Sequence, residues 1–163
     1  MELRKLAERD FGPFSAFIRS VFRDSPYSMW FSGEPDAKEL EELLSKKLHE
    51  IKRGRMIDIV AEESGSIIGE CEIAAKGQGI GLVGILVDKR HRRKGLGGRL
   101  LESGIAESRR LGLGVLLAEV LDSNADALGF FQSNGFALDN DVEKSVEVGG
   151  RSYRYLIFRK RLK

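Results

Sequence analysis

The residues best suited to chemistry in this chain lie between Lys89 and Gly98. Lys89, Arg90, His91, Arg92, Arg93 and Lys94 are consecutive, and Gly95, Gly97 and Gly98 follow at once. The apolar run "IGLVGILVD" (80–88) precedes them. Leu100, Leu101, Ile105, Ser108 and Leu111 follow at the spacing of one helix face. The order is therefore strand, glycine-rich loop, helix. A helix N-terminus offers unpaired N–H groups and the positive end of the peptide dipole, which together bind phosphate. Glycine lets the chain turn sharply and lets a bulky anion reach the backbone. Arg92, Arg93 and Lys94 add mobile charge at the rim. The segment reads as a phosphate or pyrophosphate cradle. Two plainer readings compete with it. A run of charge ordinarily means a solvated loop, and Gly97 and Gly98 would serve tight packing alone.

The cradle is not of the commonest kinds. The pattern G-x-x-x-x-G-K-[ST] is absent, because Gly97-Gly98 leads into Arg99. A dinucleotide G-x-G-x-x-G fails at Leu100. Gly79, Gly81 and Gly84 match that pattern letter for letter. They open a strand rather than a helix, so they read as a turn and a chance match.

Stepping outward, the chain must supply elements that hold this loop. Its 163 residues suit a single domain, 1–163, with a sizeable core. Hydrophobic residues are 42% and charged residues 32%, an ordinary globular balance. With 27 basic and 25 acidic residues the net charge is +2, which excludes bulk nucleic-acid binding and leaves weight only to local patches. Cys71 is the single cysteine, so no intrachain disulfide forms. Two histidines and one cysteine do not make a zinc site, and no metal is expected. No apolar stretch spans a membrane, and "MELRKLAERD" lacks a signal-peptide core. The expected location is cytoplasmic.

"LRKL" reads as a short strand. Residues 11–23 read as a helix through Phe14, Phe17, Ile18, Val21 and Phe22, with Asp10 as N-cap. Residues 36–52 resume that period through Leu40, Leu43, Leu44, Leu48 and Ile51. "MIDIVAEESGSIIGECEIAA" is a hairpin about Glu63-Ser64-Gly65-Ser66, and "GQG" turns into a third strand. "GVLLAEVL" is a strand covered on both faces. Residues 124–134 form a short helix, and "RSYRYLIFRKRL" a last strand. The order β-α-α-β-β-β-α-β-α-β implies an α/β domain: a mixed, mostly antiparallel central sheet with helices on both faces.

Two stretches together carry a resemblance. R-x-x-G-x-G stands at Arg92 to Gly97 between strand and helix. "LAEVLDSNADALGFFQSNGF" (117–136) places Glu119, Val120, Asn124, Ala127, Gly135 and Phe136 on the pattern L-E-V-x-x-x-N-x-x-A-x-x-x-Y-x-x-x-G-F. Over about residues 57–136 the chain resembles the GNAT superfamily of N-acetyltransferases. It departs at Ala118, for leucine, and at Phe131, for tyrosine.

The resemblance implies a parallel, splayed strand pair holding acetyl-coenzyme A as cosubstrate. Backbone groups of Ile85, Leu86 and Val87 would hold the pantetheine arm and acetyl carbonyl, one N–H stabilising the oxyanion. Arg92, Arg93, Lys94, Gly95, Leu96, Gly97 and Gly98 would hold the diphosphate. Asn124, Ala127, Phe130 and Phe131 would complete the cofactor site. The acetyl group would pass directly to a primary amine: a protein N-terminus, a lysine or a small molecule. An amine of pKa about 10.4 is protonated at neutral pH and needs a base. Glu119 of the E-V pair is the first candidate, with Glu72 and Glu70 as rivals; a hydrogen-bonded carboxylate at a strand end is the plainer role for Glu119. Phe131 has no proton to give the leaving thiolate, so Tyr153, Tyr155 or water would serve. Tyr27, Trp30 and Phe31 would wall the acceptor side, and a homodimer is a further implication. The plain roles are N-cap for Asn124 and core for Phe130, Phe131 and Phe136. Two other functional classes compete. One is a non-catalytic acyl-CoA sensor, favoured by Phe131. The other is an RNA-binding module using residues 89–94 and the "RKRLK" tail, against which stands the lack of aromatics in residues 89–99.

Overall fold

A computed structural model describes residues 1–25, 31–139, 144–148 and 150–163. The elements are β1 (Glu2–Lys5), α1 (Phe11–Asp24), α2 (Ala37–Lys52), β2 (Met56–Glu63), β3 (Ser66–Gly77), β4 (Ile80–Val87), α3 (Leu96–Ser108), β5 (Val115–Leu121), α4 (Ala125–Ser133), β6 (Ala137–Leu138), β7 (Lys144–Val148) and β8 (Arg151–Arg161). Short 3-10 turns cover Glu8–Asp10, Lys89–His91 and Arg109–Leu111. The strands form one sheet in the order β1-β2-β3-β4-β5-β8-β6, with β7 also paired to β8. β4 and β5 are its parallel pair; the other pairings are antiparallel. Parallel neighbours need a crossover, and α3 provides it.

Two clusters form the core, one on each face. Phe14, Phe17, Ile18 and Val21 of α1 and Leu40 and Leu44 of α2 pack on Val60 and Ile67. On the other face Leu96, Leu100 and Leu101 of α3 pack with Cys71, Ile73, Val83, Leu116, Ala118 and Phe158. Strand alternation decides which side chains go where. In β3, Cys71 and Ile73 lie under α3, where a Cβ on Gly104 would meet Cys71 Sγ at 2.8 Å. Glu70 and Glu72, on the opposite face, meet Lys47 of α2.

The turns explain the meander. Ser64 and Gly65 both have positive φ, 51° and 78°, the two-residue turn that matches strand twist. Asp36 caps α2 by accepting from Glu39 N–H at 2.8 Å, while the Glu39 carboxylate accepts from Asp36 N–H at 2.9 Å. Asp10 departs from its expected role as a helix cap. Its carboxylate accepts from both terminal nitrogens of Arg4 at 2.7 and 2.8 Å and from Ala7 N–H at 2.8 Å, tying β1 to the start of α1. Strands β6 and β7 add to the order read from the sequence. No described helix is long and apolar enough to cross a membrane.

Candidate active site

The loop between β4 and α3 is built on two aspartates. Asp88 is buried and accepts from Arg90 N–H at 3.0 Å, Arg90 Nε at 3.2 Å and Ser20 Oγ at 3.2 Å, with His91 Nδ1 at 3.2 Å. Burial works against its charge, but the bonds from Arg90 and His91 outweigh it and bring its pKa down to about 2. Asp24, the last residue of α1, takes Arg92 Nη1 at 2.5 Å and Lys89 Nζ at 3.5 Å. Arg92 Nε also donates to the Val87 carbonyl at 2.9 Å. His91 and Arg92 are therefore anchored inward, while Lys89 and Arg90 pair with these aspartates from exposed positions. Arg93 and Lys94 are exposed and have no carboxylate partner among the described residues.

Past these anchors the chain turns into α3. Gly95 lies in the left-handed region at φ +79°, and no side chain caps the helix. The first helical bond runs from Arg99 N–H to the Gly95 carbonyl, so the N–H groups of Leu96, Gly97 and Gly98 lie ahead of the intrahelical ladder. A Cβ on Gly97 would meet the Phe130 ring at 3.0 Å, so this glycine lets α3 lie against α4. Gly98 has open space, its nearest atom being Asn134 Oδ1 at 4.0 Å. Leu96 is a core residue.

The strands beside the cradle separate. β4 pairs with β5 only at Ile80–Val115, Gly81–Leu116 and Leu82–Leu117. Beyond Leu82 and Leu117 the ladder stops, although both strands continue, β4 paired to β3 and β5 to β8. A cleft opens there. Ile85, Leu86 and Val87 line its β4 side and are each half-buried. Alternate backbone groups of this stretch face the cleft instead of β3, which leaves donors and acceptors for an extended chain.

One row of side chains crosses the sheet at the cleft. Asp58 of β2 pairs in register with Glu72 of β3, and Glu72 with Gly84 of β4. Gly84 and Glu119 each lie two residues past the last paired rung, on the α1/α2 face. Two carboxylates thus flank an exposed glycine at which a Cβ would meet nothing within 4 Å.

Each carboxylate holds a lysine. Glu119 accepts from Lys144 Nζ with both oxygens, at 2.9 and 3.0 Å. Lys47 is only 5% exposed and donates to Asp58 Oδ2 at 2.8 Å, to Glu70 Oε1 at 2.8 Å and to Glu72 Oε2. Burial opposes the Lys47 charge, but Glu70, Asp58 and Glu72 together hold its pKa well above the usual amine range. Asp58 moves well above the ordinary carboxylate range, first through burial and then through the charge of Glu70. Its Oδ1 accepts no hydrogen bond. Asp58, Glu70 and Glu72 have oxygens within 4.8 Å of one another, close enough for a cation, and the Lys47 ammonium is the cation they hold.

Tyr153 and Tyr155 of β8 lie on the Glu119 face, since β8 pairs Ile157 with Glu119 and Tyr155 with Leu121. Burial, and then the Glu119 charge, push the Tyr155 phenol up to about 12, so it keeps its proton. Beside them is a cleft of about 660 Å³ lined by Asp122, Ser123, Lys144, Ser152, Tyr153 and Arg154. Asn124 Oδ1 accepts from Ala127 N–H at 3.2 Å, so Asn124 caps α4 as its plain reading expects. Ala127 and Phe130 are half-buried. Phe131 is in the core, edge-on to Phe130 and Phe136 with centroids 5.2 and 5.1 Å away. Tyr27 and Trp30 lie outside the described residues. Phe31 packs edge-on to Phe22 of α1, with centroids 6.3 Å apart.

Lys47, Asp58 and Lys144 were missing from the sequence reading. Lys47 had a signal: it stands seven residues after Leu40 and three after Leu44, on the apolar stripe of α2. A lysine on a buried stripe calls for buried carboxylates, and Asp58, Glu70 and Glu72 are spaced to supply them.

Residues 16–136 match the model of the Acetyltransferase (GNAT) family. No curated protein sequence matches the chain. Among solved structures, a ribosomal-protein-alanine N-acetyltransferase from Brucella melitensis superposes with TM-score 0.83 at 21% identity, covering 99% of this chain and 100% of that one. An N-acetyltransferase from Staphylococcus aureus Mu50 gives TM-score 0.83 at 19% identity, with 99% and 98% covered. A ribosomal L7/L12 alpha-N-protein acetyltransferase in complex with coenzyme A gives 0.84 at 12% identity, with 98% and 93% covered. At these identities the likeness speaks for the fold.

Proposed function

From the premise that the chain belongs to the acetyltransferase (GNAT) family, and so is an acyltransferase, we propose that it transfers an acetyl group from acetyl-coenzyme A directly to a primary amine. The observation that carries the reading is the conjunction of a splayed parallel pair with an uncapped helix N-terminus at one end of the cleft and two carboxylates at its mouth. Acetyl-coenzyme A, when bound, supplies an activated thioester. Leu96, Gly97 and Gly98 N–H groups with Arg93 and Lys94 would hold its diphosphate. Ile85, Leu86 and Val87 backbone groups would hold its extended arm and polarise the carbonyl. Glu72 or Glu119 would free the amine's lone pair, and Tyr153 or Tyr155 would return a proton to sulfur. The acceptor is a primary amine of a protein N-terminus, a lysine or a small molecule. The Brucella structure's ribosomal-protein-alanine activity favours the first. The expected location is cytoplasmic.

The test is calorimetric titration with acetyl-coenzyme A beside a Gly98→Glu variant. A glutamate in the first turn suits the helix dipole, and the site has room, so the fold holds while an anion is repelled. The expected result is saturable binding weakened more than tenfold in the variant. Thiol release with an alanine-initiated peptide, an N-blocked lysine peptide and free amino acids then identifies the acceptor. No binding by the unaltered protein at low salt would overturn the reading.

A further inference from the structure

We propose that buried Lys47 is a positioning residue for acetyl transfer, and that the carboxylate it positions, Glu72, is the base that takes the acceptor's proton. The inference rests on the acetyl-transfer reading above. Glu72 and Glu119 share a row and a face, so position alone does not choose between them. Their lysines differ. Lys144 pairs with Glu119 alone and engages both oxygens, which leaves neither oxygen open toward the cleft. Lys47 divides its charge among three carboxylates and reaches only Oε2 of Glu72. Among the described residues Oε1 of Glu72 accepts no hydrogen bond, and the side chain is 35% exposed beside Gly84. Glu72 is therefore fixed at one oxygen from below and open at the other toward the cleft.

The surroundings keep this arrangement rigid. Lys47 enters from α2 over the Phe14 ring of α1, 5.8 Å from its centroid. The ionisable groups facing Glu72 are Lys47 from α2, Asp58 from β2 and Glu70 on its own strand. β4 offers Gly84 and Leu86, Glu119 of β5 stands across Gly84 with Lys144, and the buried face of α1 is apolar but for the uncharged Ser15. Lys47 carries the one positive charge among these three acidic side chains, and Glu72 is the member that reaches the cleft. In the step itself one N–H bond of the acceptor ammonium breaks. The proton passes to Glu72 Oε1, directly or through one water, and the electron pair stays on nitrogen as the attacking lone pair. Glu72 then returns the proton to solvent.

The experiment measures thiol release against pH with the best acceptor of the panel, beside acetyl-coenzyme A titrations of every variant. Glu72→Gln is expected to lose about 100-fold or more in kcat while cofactor affinity stays within threefold. Glu119→Gln is expected to lose under tenfold. Glu70→Gln removes a neighbouring negative charge at constant shape and moves the acid limb of kcat/KM to lower pH. Lys47→Met removes the positive charge and moves it to higher pH, and Lys47→Arg restores it. Opposite shifts are not produced by a role that is merely structural. If Lys47→Met does not fold, the Glu70→Gln shift and the Glu72→Gln loss decide. An active Glu72→Gln, or an unmoved limb in folded Glu70→Gln, overturns the proposal while leaving acetyl transfer intact. Unaltered protein that neither binds acetyl-coenzyme A nor releases thiol overturns both.

Discussion

Glu72 and Glu119 make a controlled comparison within one molecule. Both stand on the α1/α2 face of the sheet, level with Gly84, and both touch a lysine. Lys47 lies inside the domain, 6% exposed at its side chain, and Lys144 is 52% exposed on the edge strand β7. At the edge, water screens the pair and solvates either partner alone, so little free energy depends on the contact. In the interior, neither lysine nor carboxylates can recover hydration, so each charge exists only because the others do. The same pair of residue types is thus replaceable in one place and obligatory in the other.

The largest effect should come from breaking the interior pair. Lys47→Met leaves three buried or half-buried carboxylates around an apolar side chain and should cost about 3–5 kcal/mol, read from urea unfolding at neutral pH. Lys144→Met should cost less than about 1 kcal/mol in the same assay. Equal costs would erase the distinction. The sign with pH is also set. The raised Lys47 pKa means that its contribution is present below the unfolded amine value of about 10.4 and fades only as pH rises above it. Asp58 acts oppositely: its raised pKa makes its ionisation cost stability above about pH 4. Asp58→Asn should therefore hold or gain stability at pH 7.

The next effect sharpens the contrast within the basic loop, where Asp88 is buried and Arg93 exposed. With a folded pKa of about 2 against about 3.9 unfolded, Asp88 contributes about 2–3 kcal/mol above pH 5, lost as pH falls toward 2. Asp88→Asn should remove that amount at pH 7 and flatten the acid side of the stability curve. A mutant curve parallel to the parent between pH 5 and 2 would show that Asp88 is not the group responsible.

These contrasts also mark what the sequence could and could not reveal. Helices, hairpins and the β4-loop-α3 unit were legible because each follows from local period or local turn chemistry: Phe14 to Phe22 at helical spacing, Ser64-Gly65 at a two-residue turn. The turn from the basic run through Gly95 into α3 was legible because its parts are consecutive. The carboxylate row was not. Asp58, Glu72, Gly84 and Glu119 become neighbours only through strand register across four strands, and no local signal fixes that. Phe131 shows the reverse limit. It falls at a pattern position in a ligand-associated block, yet its apolar ring packs between Phe130 and Phe136 in the core. Residue type decided its place where pattern position did not. Strand β6 was missed because a two-residue strand has no period to read, and β7 because its five residues include only two apolar ones.

The smallest change in stability tests the comparison at its centre. Gly84 separates the two carboxylates, is exposed, has no atom within 4 Å of a built Cβ, and has no positive φ. Valine at this position has room and favours the extended backbone, and a strand glycine costs up to about 1 kcal/mol relative to a residue with a side chain. Gly84→Val should therefore leave the urea midpoint unchanged or slightly raised. Its two methyl groups would stand between Glu72 and Glu119, where the amine must approach, and thiol release should fall at least tenfold. Full activity in a stable Gly84→Val protein would mean that the acceptor does not pass between the carboxylates. Loss of activity with Glu72→Gln activity also lost, and Glu119→Gln largely retained, would place the amine on the Glu72 side of that glycine.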